Sequence, residues 1–139
     1  MTPLFKKLNL GDHAVIHVLD APPSFEPELA GLEGVKVKRT LSGKTTFAMA
    51  FVVTQAQLDS ASGKLVRACE GDAVLWMVYP KGTSKKYKCE FNRDSGWRVL
   101  AAAGFETVRM VAVDEDWSAL RFRRVEHIKG MTRGKASRS

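Results

Sequence analysis

The chain lacks most of the residue groupings that announce a chemistry. Its only cysteines, Cys69 and Cys89, are too far apart for a zinc or redox pair. No His-x-x-x-His, Cys-x-x-Cys or Gly-x-Ser-x-Gly motif occurs, which removes the common zinc, thiol-redox and serine-hydrolase signatures. No metal site is expected. No apolar run approaches the roughly 18 residues of a membrane span. The opening MTPLFKKLNLGDH has no apolar core of signal-peptide length. The expectation is a cytoplasmic protein without membrane contact. Acidic residues are absent from 129–139, KGMTRGKASRS. Glycine is absent where a nucleotide-binding turn needs it: the first apolar stretch ends in Asp20-Ala21-Pro22-Pro23.

What is present is ordinary for a globular protein: 139 residues, 45% apolar and 27% charged. That length suits one domain with a real core. We divide the chain into a single α/β domain, 1–128, and a flexible basic tail, 129–139. The net charge is +7, and the tail's Lys129, Arg133, Lys135 and Arg138 account for four of it. The remaining +3 is a weak argument for a nucleic-acid binder. Any nucleic-acid affinity is expected to be weak, nonspecific and carried by the tail.

The most informative stretch is 73–97, AVLWMVYPKGTSKKYKCEFNRDSGW. Its apolar run ends at Tyr79 and Pro80, and a lysine-rich loop follows. A run that is apolar at every position predicts a strand buried on both faces. AVIHVL (14–19) and TFAMAFVV (46–53) read the same way. His17, inside the first, is read as a hydrogen-bonded structural residue. VKVKRTL (35–41) alternates and predicts a half-exposed edge strand. FETVRMVAV (105–113) and SALRFRRV (118–125), joined by Asp114-Glu115-Asp116-Trp117, predict an antiparallel pair. Leu4 and Leu8 permit one helical turn. Ser24 can cap a short helix ended by Gly31. Thr54-Gln55-Ala56-Gln57 has the capping-box pattern, and Leu58, Ala61, Leu65 and Cys69 form one helical stripe with Asp59, Ser62 and Arg67 facing away. Asp94 or Ser95 can cap a helix carrying Trp97, Leu100 and Ala101, ended by Gly104.

The element order is β-α-β-β-α-β-α-β-β. It predicts a three-layer, mostly parallel α/β sheet of about six strands with a C-terminal antiparallel hairpin. The layout resembles the Rossmann-like domain of methyltransferases, and by that resemblance the strand order is 2-1-3-4-6-5. Such enzymes place a glycine-rich turn after the first strand. Here two prolines remove N–H donors that would hold a carboxylate or phosphate. A standard S-adenosylmethionine or NAD site is therefore not expected, and no cofactor is assigned. The blocks LWMVYPKGTSK (75–85) and VDEDWSALRF (113–122) also resemble a widespread bacterial family of small conserved proteins of unassigned function. That resemblance implies a shared fold from the first strand to about Val125, and no activity.

In open parallel sheets ligands bind beyond the carboxyl ends of the strands, where strand order reverses. That rim collects Asp20, Thr54, Pro80, Lys81 and the 82–93 loop. The hairpin turn brings Asp114, Glu115, Asp116, Trp117 and Ser118 to it. In a structural reading, Lys81 pairs with Asp114 or Asp116, and Trp117 closes the core. In a ligand reading, Lys81, Lys85 and Lys86 hold an anionic small molecule, Thr83 and Ser84 donate hydrogen bonds, and Trp117 stacks on a ring. The structural reading is favoured. The three acids of the turn are read as solvated rather than as cation ligands. Cys69 is read as a small core residue. Gly43-Lys44-Thr45 lacks the upstream glycine of a phosphate loop.

Three functions follow in order. The first is a non-catalytic binding or interaction module, leaning away from an enzyme. The second is a small enzyme acting on an anionic substrate at the rim. The third is a nucleic-acid binder using the lysine loop and the tail. Deleting 129–139 is expected to leave the melting temperature nearly unchanged and to weaken any salt-dependent nucleic-acid affinity. A fall of many degrees on differential scanning calorimetry would show that the tail packs.

Overall fold

A computed structural model describes residues 2–128. The tail assigned to 129–139 lies outside the described residues. The strands are β1 (Val15–Leu19), β2 (Lys36–Lys38), β3 (Thr45–Phe51), β4 (Cys69–Pro80), β5 (Phe105–Ala112) and β6 (Trp117–Arg124). The helices are α1 (Pro3–Lys7), α2 (Glu26–Ala30), α3 (Gln55–Ala68) and α4 (Arg98–Ala102). The strands form one sheet in the order β2-β1-β3-β4-β6-β5. β2, β1, β3 and β4 are parallel, and β6 runs antiparallel to both β4 and β5. Fold class and strand order are those expected from the sequence.

Alternation along β3 explains the two layers. Phe47, Met49 and Phe51 join one core with Phe5, Leu8, Ile16, Val18, Phe25 and Trp76. That core lies under α1 and α2. Ala48 and Ala50 join the other with Leu58, Leu65, Leu75, Met77, Leu100 and Phe122, under α3 and α4. Small side chains on the α3 face let that longer helix sit close, while large ones fill the space beneath short α1 and α2. Trp76 is fully buried, and its indole N–H donates to the Leu8 carbonyl at 2.8 Å. This bond ties the N-terminal segment to the middle of the sheet.

Local signals account for the helix ends. The Thr54 hydroxyl accepts from the Gln57 N–H at 3.1 Å, and the Gln57 side chain returns the bond to the Thr54 N–H at 3.1 Å. His17 is buried, and its Nδ1 is 2.7 Å from the Thr45 hydroxyl across the β1–β3 pair. Burial, then Lys38, holds its pKa below the ordinary value, so the neutral ring acts as a structural cross-link.

Several boundaries depart from expectation. β2 is three residues long, not 35–41. β4 starts at Cys69, so Cys69 belongs to the strand rather than to the helix, and Glu70-Gly71-Asp72 extends the strand ahead of the apolar run that begins at Ala73. Its first segment is held by Asp72, which receives two bonds from Arg123. Ser62 faces inward rather than away. Neither Asp94 nor Ser95 caps α4; Trp97 occupies the cap position without a side-chain bond. Among the described residues no helix is long and apolar enough to cross a membrane.

Phe51 is 5% exposed at the carboxyl end of β3, between the rings of Phe25 and Trp117. Phe51→Asp is expected to remove more than about 4 kcal/mol, because it places an unpaired charge among aromatic rings. That is comparable to the whole stability of a small domain. Loss of a cooperative urea transition is the expected result, and wild-type behaviour would refute the placement of β3.

Candidate functional site

The carboxyl rim is built from hydrogen bonds that fix the loop after β4. The Lys81 N–H donates to the Asp116 carbonyl at 2.8 Å, and the Ser84 N–H donates to the Lys81 carbonyl at 3.0 Å. The Ser84 hydroxyl donates to Asp116 Oδ1 at 2.9 Å and accepts from the N–H groups of Lys86 and Tyr87. Asp114 Oδ1 accepts from the N–H groups of Asp116 and Trp117 at 2.8 and 2.9 Å, an Asx turn that closes the β5–β6 hairpin. Lys81 and the acidic turn therefore meet through backbone, not through the expected Lys81–Asp114 or Lys81–Asp116 ion pair.

The far side of the loop is equally tied. The Glu90 N–H donates to the Val53 carbonyl, and its carboxylate accepts from the Gln55 N–H at 2.8 Å, at the start of α3. The Trp97 indole N–H donates to the Asn92 carbonyl at 2.8 Å. Gly96 has φ +99°, and a Cβ there would lie 2.8 Å from that of Phe91. Only glycine lets this segment close against the ring.

Between loop and sheet lies a cleft of about 930 Å³. It opens on the α3–α4 side of the sheet. Its walls carry Lys81, Lys85, Lys86, Lys88 and Arg93 against the single carboxylate of Glu90. Its floor is aromatic: Tyr79 lies 5.8 Å from Phe91 and 5.5 Å from Trp97, centroid to centroid. The Tyr79 hydroxyl donates to Met110 Sδ at 3.7 Å, a weak acceptor. Burial pushes the Tyr79 phenol above its ordinary pKa, and burial does the same to the Cys89 thiol. Both are therefore protonated at neutral pH. Cys89 is no thiolate nucleophile. Burial pushes Cys69 up to about 11, as suits a core residue. Among the described residues no cluster of His, Cys, Asp and Glu could hold a metal ion.

The expected rim residues divide into three groups. Lys81, Thr83, Ser84, Lys85 and Ser118 line the cleft. Asp114, Asp116 and Trp117 stand behind it. Trp117 is 3% exposed, on the opposite face of the sheet, against Phe51 at 5.3 Å and Tyr87 at 4.8 Å. It closes the core and does not reach the cleft. Asp20 and Thr54 form the third group, outside the cleft. Thr54 is engaged in its capping box, and Asp20 has φ +57° at the end of β1. Beyond Asp20, Phe25 is 2% exposed and packs 5.9 Å from Phe5 and 4.9 Å from Phe51. Past the end of β2, Arg39 makes two bonds to Glu26 at 2.7 and 2.8 Å. Phe91 and Arg93 fall within the 82–93 loop expected at the rim, whereas nothing in the sequence singles out Tyr79, at the end of an apolar run, or Met110.

No family model matches the chain, and no curated protein matches it in sequence. Solved structures do match it. One is a SAM dependent methyltransferase from Aquifex aeolicus, with TM-score 0.55, 13% identity, and coverage of 86% of this chain and 87% of that one. Another is magnesium protoporphyrin IX methyltransferase from Synechocystis PCC 6803 with bound SAH, with TM-score 0.55, 12% identity, and coverage of 87% and 78%. A third is the N-methyltransferase NodS from Bradyrhizobium japonicum WM9, with TM-score 0.52, 12% identity, and coverage of 87% and 92%. At this identity the likeness shows a Rossmann-like methyltransferase fold. It also corrects the expectation of a non-catalytic module and the lean away from an enzyme, because these matching structures are enzymes.

Trp117→Ala is expected to cost about 3–5 kcal/mol in urea unfolding, since it empties the space between Phe51 and Tyr87. Lys81→Ala is expected to stay within about 0.5 kcal/mol, as its fold contact is through backbone. Equal losses would mean that the Lys81 side chain is structural.

Proposed function

We propose that this chain is a small enzyme acting on a small anionic substrate in the cleft beneath the 81–93 loop. The carrying observation is the cleft itself, at the carboxyl end of the central strand, with five cationic side chains against one carboxylate. Such a wall raises the local concentration of anions and neutralises them once bound. Its volume suits a metabolite. In this reading Lys81, on the best-anchored backbone, fixes the anionic group, and Thr83 and Lys85 add donors. Ser84 is already committed to the loop and positions its neighbours. Tyr79 and Ser118 pair across β4 and β6 and present hydroxyls to the same space. A buried, protonated Tyr79 suits a hydrogen bond to a substrate oxygen that gains negative charge during the reaction. Its present acceptor, a thioether, is easily given up.

Methyl transfer with S-adenosylmethionine is the reaction that the matching structures bring to mind. The residues here do not fit that cofactor in the crevice beyond β1. Pro22 and Pro23 offer no N–H, and Phe25 fills the space above Phe51. Past β2 a cation stands, and it is bonded to Glu26.

The proposal extends to the bacterial family resembled by blocks 75–85 and 113–122, since both blocks build this rim. We also place the protein in the cytoplasm and leave weak nucleic-acid contact to the tail.

The test is a thermal-shift screen of carboxylated and phosphorylated metabolites, followed by turnover of any that bind. A stabilising anion should lose at least about tenfold in affinity in Lys81→Ala. Tyr79→Phe should bind it and turn it over more slowly. S-adenosylmethionine should give no saturable heat on calorimetry. Failure of every anion, or tight S-adenosylmethionine binding, would overturn this reading.

A further inference from the structure

We propose a phosphate-binding site on the opposite face of the sheet, formed by Arg109, Arg121 and Arg123 with Asn9. It is separate from the cleft and independent of the reading above. Its basis is an arrangement that the fold alone does not favour. Arg109 of β5 stands directly opposite Arg121 of β6. Like charges facing each other across neighbouring strands are destabilising. Arg123 follows Arg121 on the same face, since side chains alternate along a strand.

A break in register brings Arg109 there. Thr107 pairs with Phe122 and Arg109 with Arg121, so Val108 is an extra residue in β5. Without it Val108 would face Arg121, and Arg109 would fall on the Leu120 side, over the other core. Bulges of this kind re-aim side chains at functional places.

The three guanidiniums are under-neutralised. Asp72 is bonded to Arg123 at 2.8 and 2.6 Å. Glu106 is in register with Arg123, and no ion pair joins them among the described residues. Arg121 is half-buried against the sheet. It gives one bond, from Nη1 to Asn9 Oδ1 at 3.1 Å, and its enclosed Nε has no partner among the described residues. Burial and the neighbouring arginines lower its pKa, with Asp72 opposing. Asn9, held at φ +63°, keeps its Nδ2 as a further donor. Among the described residues no carboxylate is bonded to Arg109 or Arg121, and two such guanidiniums side by side suit a dianion, so the group read is phosphoryl rather than carboxylate. A free phosphate and a phosphate ester share that chemistry.

The experiment follows melting temperature against inorganic phosphate, and separately phenyl phosphate, at ionic strength held constant with chloride. Wild type should be stabilised saturably. Arg109→Gln lies on an exposed strand and should fold. It should melt higher than wild type without phosphate, because the repulsion is gone, and bind phosphate at least about tenfold more weakly. Arg121→Gln should weaken binding likewise, whereas Lys64→Gln, an exposed charge on α3 remote from both sites, should respond as wild type. Tighter binding of phenyl phosphate would identify an ester as the ligand, and equal binding the free ion. No response in wild type, an unchanged response in Arg109→Gln, or loss of response in Lys64→Gln would each overturn the proposal.

Discussion

The double pairing of β4 is the constraint on which the molecule depends. Its residues 75–78 are hydrogen-bonded to parallel β3 on one side and antiparallel β6 on the other, and every side chain from Ala73 to Pro80 is buried. A shift of one residue would exchange the two faces. Trp76 would leave its bond to Leu8, and Tyr79 would leave the cleft floor. Register is thus set by two cores at once, and neither neighbour can slide without disturbing the other.

That constraint explains how a long irregular loop can be ordered. The loop leaves a strand whose end is fixed, at Pro80, which has no N–H to offer. The next N–H, of Lys81, goes to Asp116 on the neighbouring hairpin. From there the chain is fastened through Ser84, Glu90 and Asn92 before it enters α4. Each bond contributes only about 1 kcal/mol. Together they leave the lysine side chains free while the backbone is held, which is the arrangement that binding requires.

Much of the fold was legible in the sequence because its determinants are local. Unbroken apolar runs specify buried strands, and Thr54 with Gln57 specifies a helix start. The alternation of Leu120 and Phe122 with arginines specifies a hairpin partner. What was not legible depends on partners distant in sequence. Glu70-Gly71-Asp72 carries no apolar side chain to mark it as strand, yet it extends β4, with Asp72 bonded to Arg123 of β6. The bulge at Val108 leaves no compositional trace. For the site, the lysines and the rim were visible. The aromatic floor was not, since Tyr79 and Phe91, with Trp97 packed against both, meet only after the loop returns over the sheet. Trp117 was placed at the right edge but is committed to the opposite core.

The turn after β1 separates this chain from a sheet with a glycine-rich turn. A Rossmann-like sheet leaves a crevice there, and something must fill it. With a glycine-rich turn, backbone N–H groups line the crevice and a polar cofactor enters. In this chain Asp20 supplies the left-handed bend that glycine would otherwise make. Two prolines follow, and Phe25 enters the space beside Phe51. A line of rings then runs from Phe5 through Phe25, Phe51 and Trp117 to Tyr87. Rings at these spacings stabilise one another beyond their burial. Reopening the crevice would expose several of them together. The space beside Phe51 at this turn is therefore filled by rings, and the larger cleft lies along the rim at the end of β4. Lysine side chains rather than backbone amides line it.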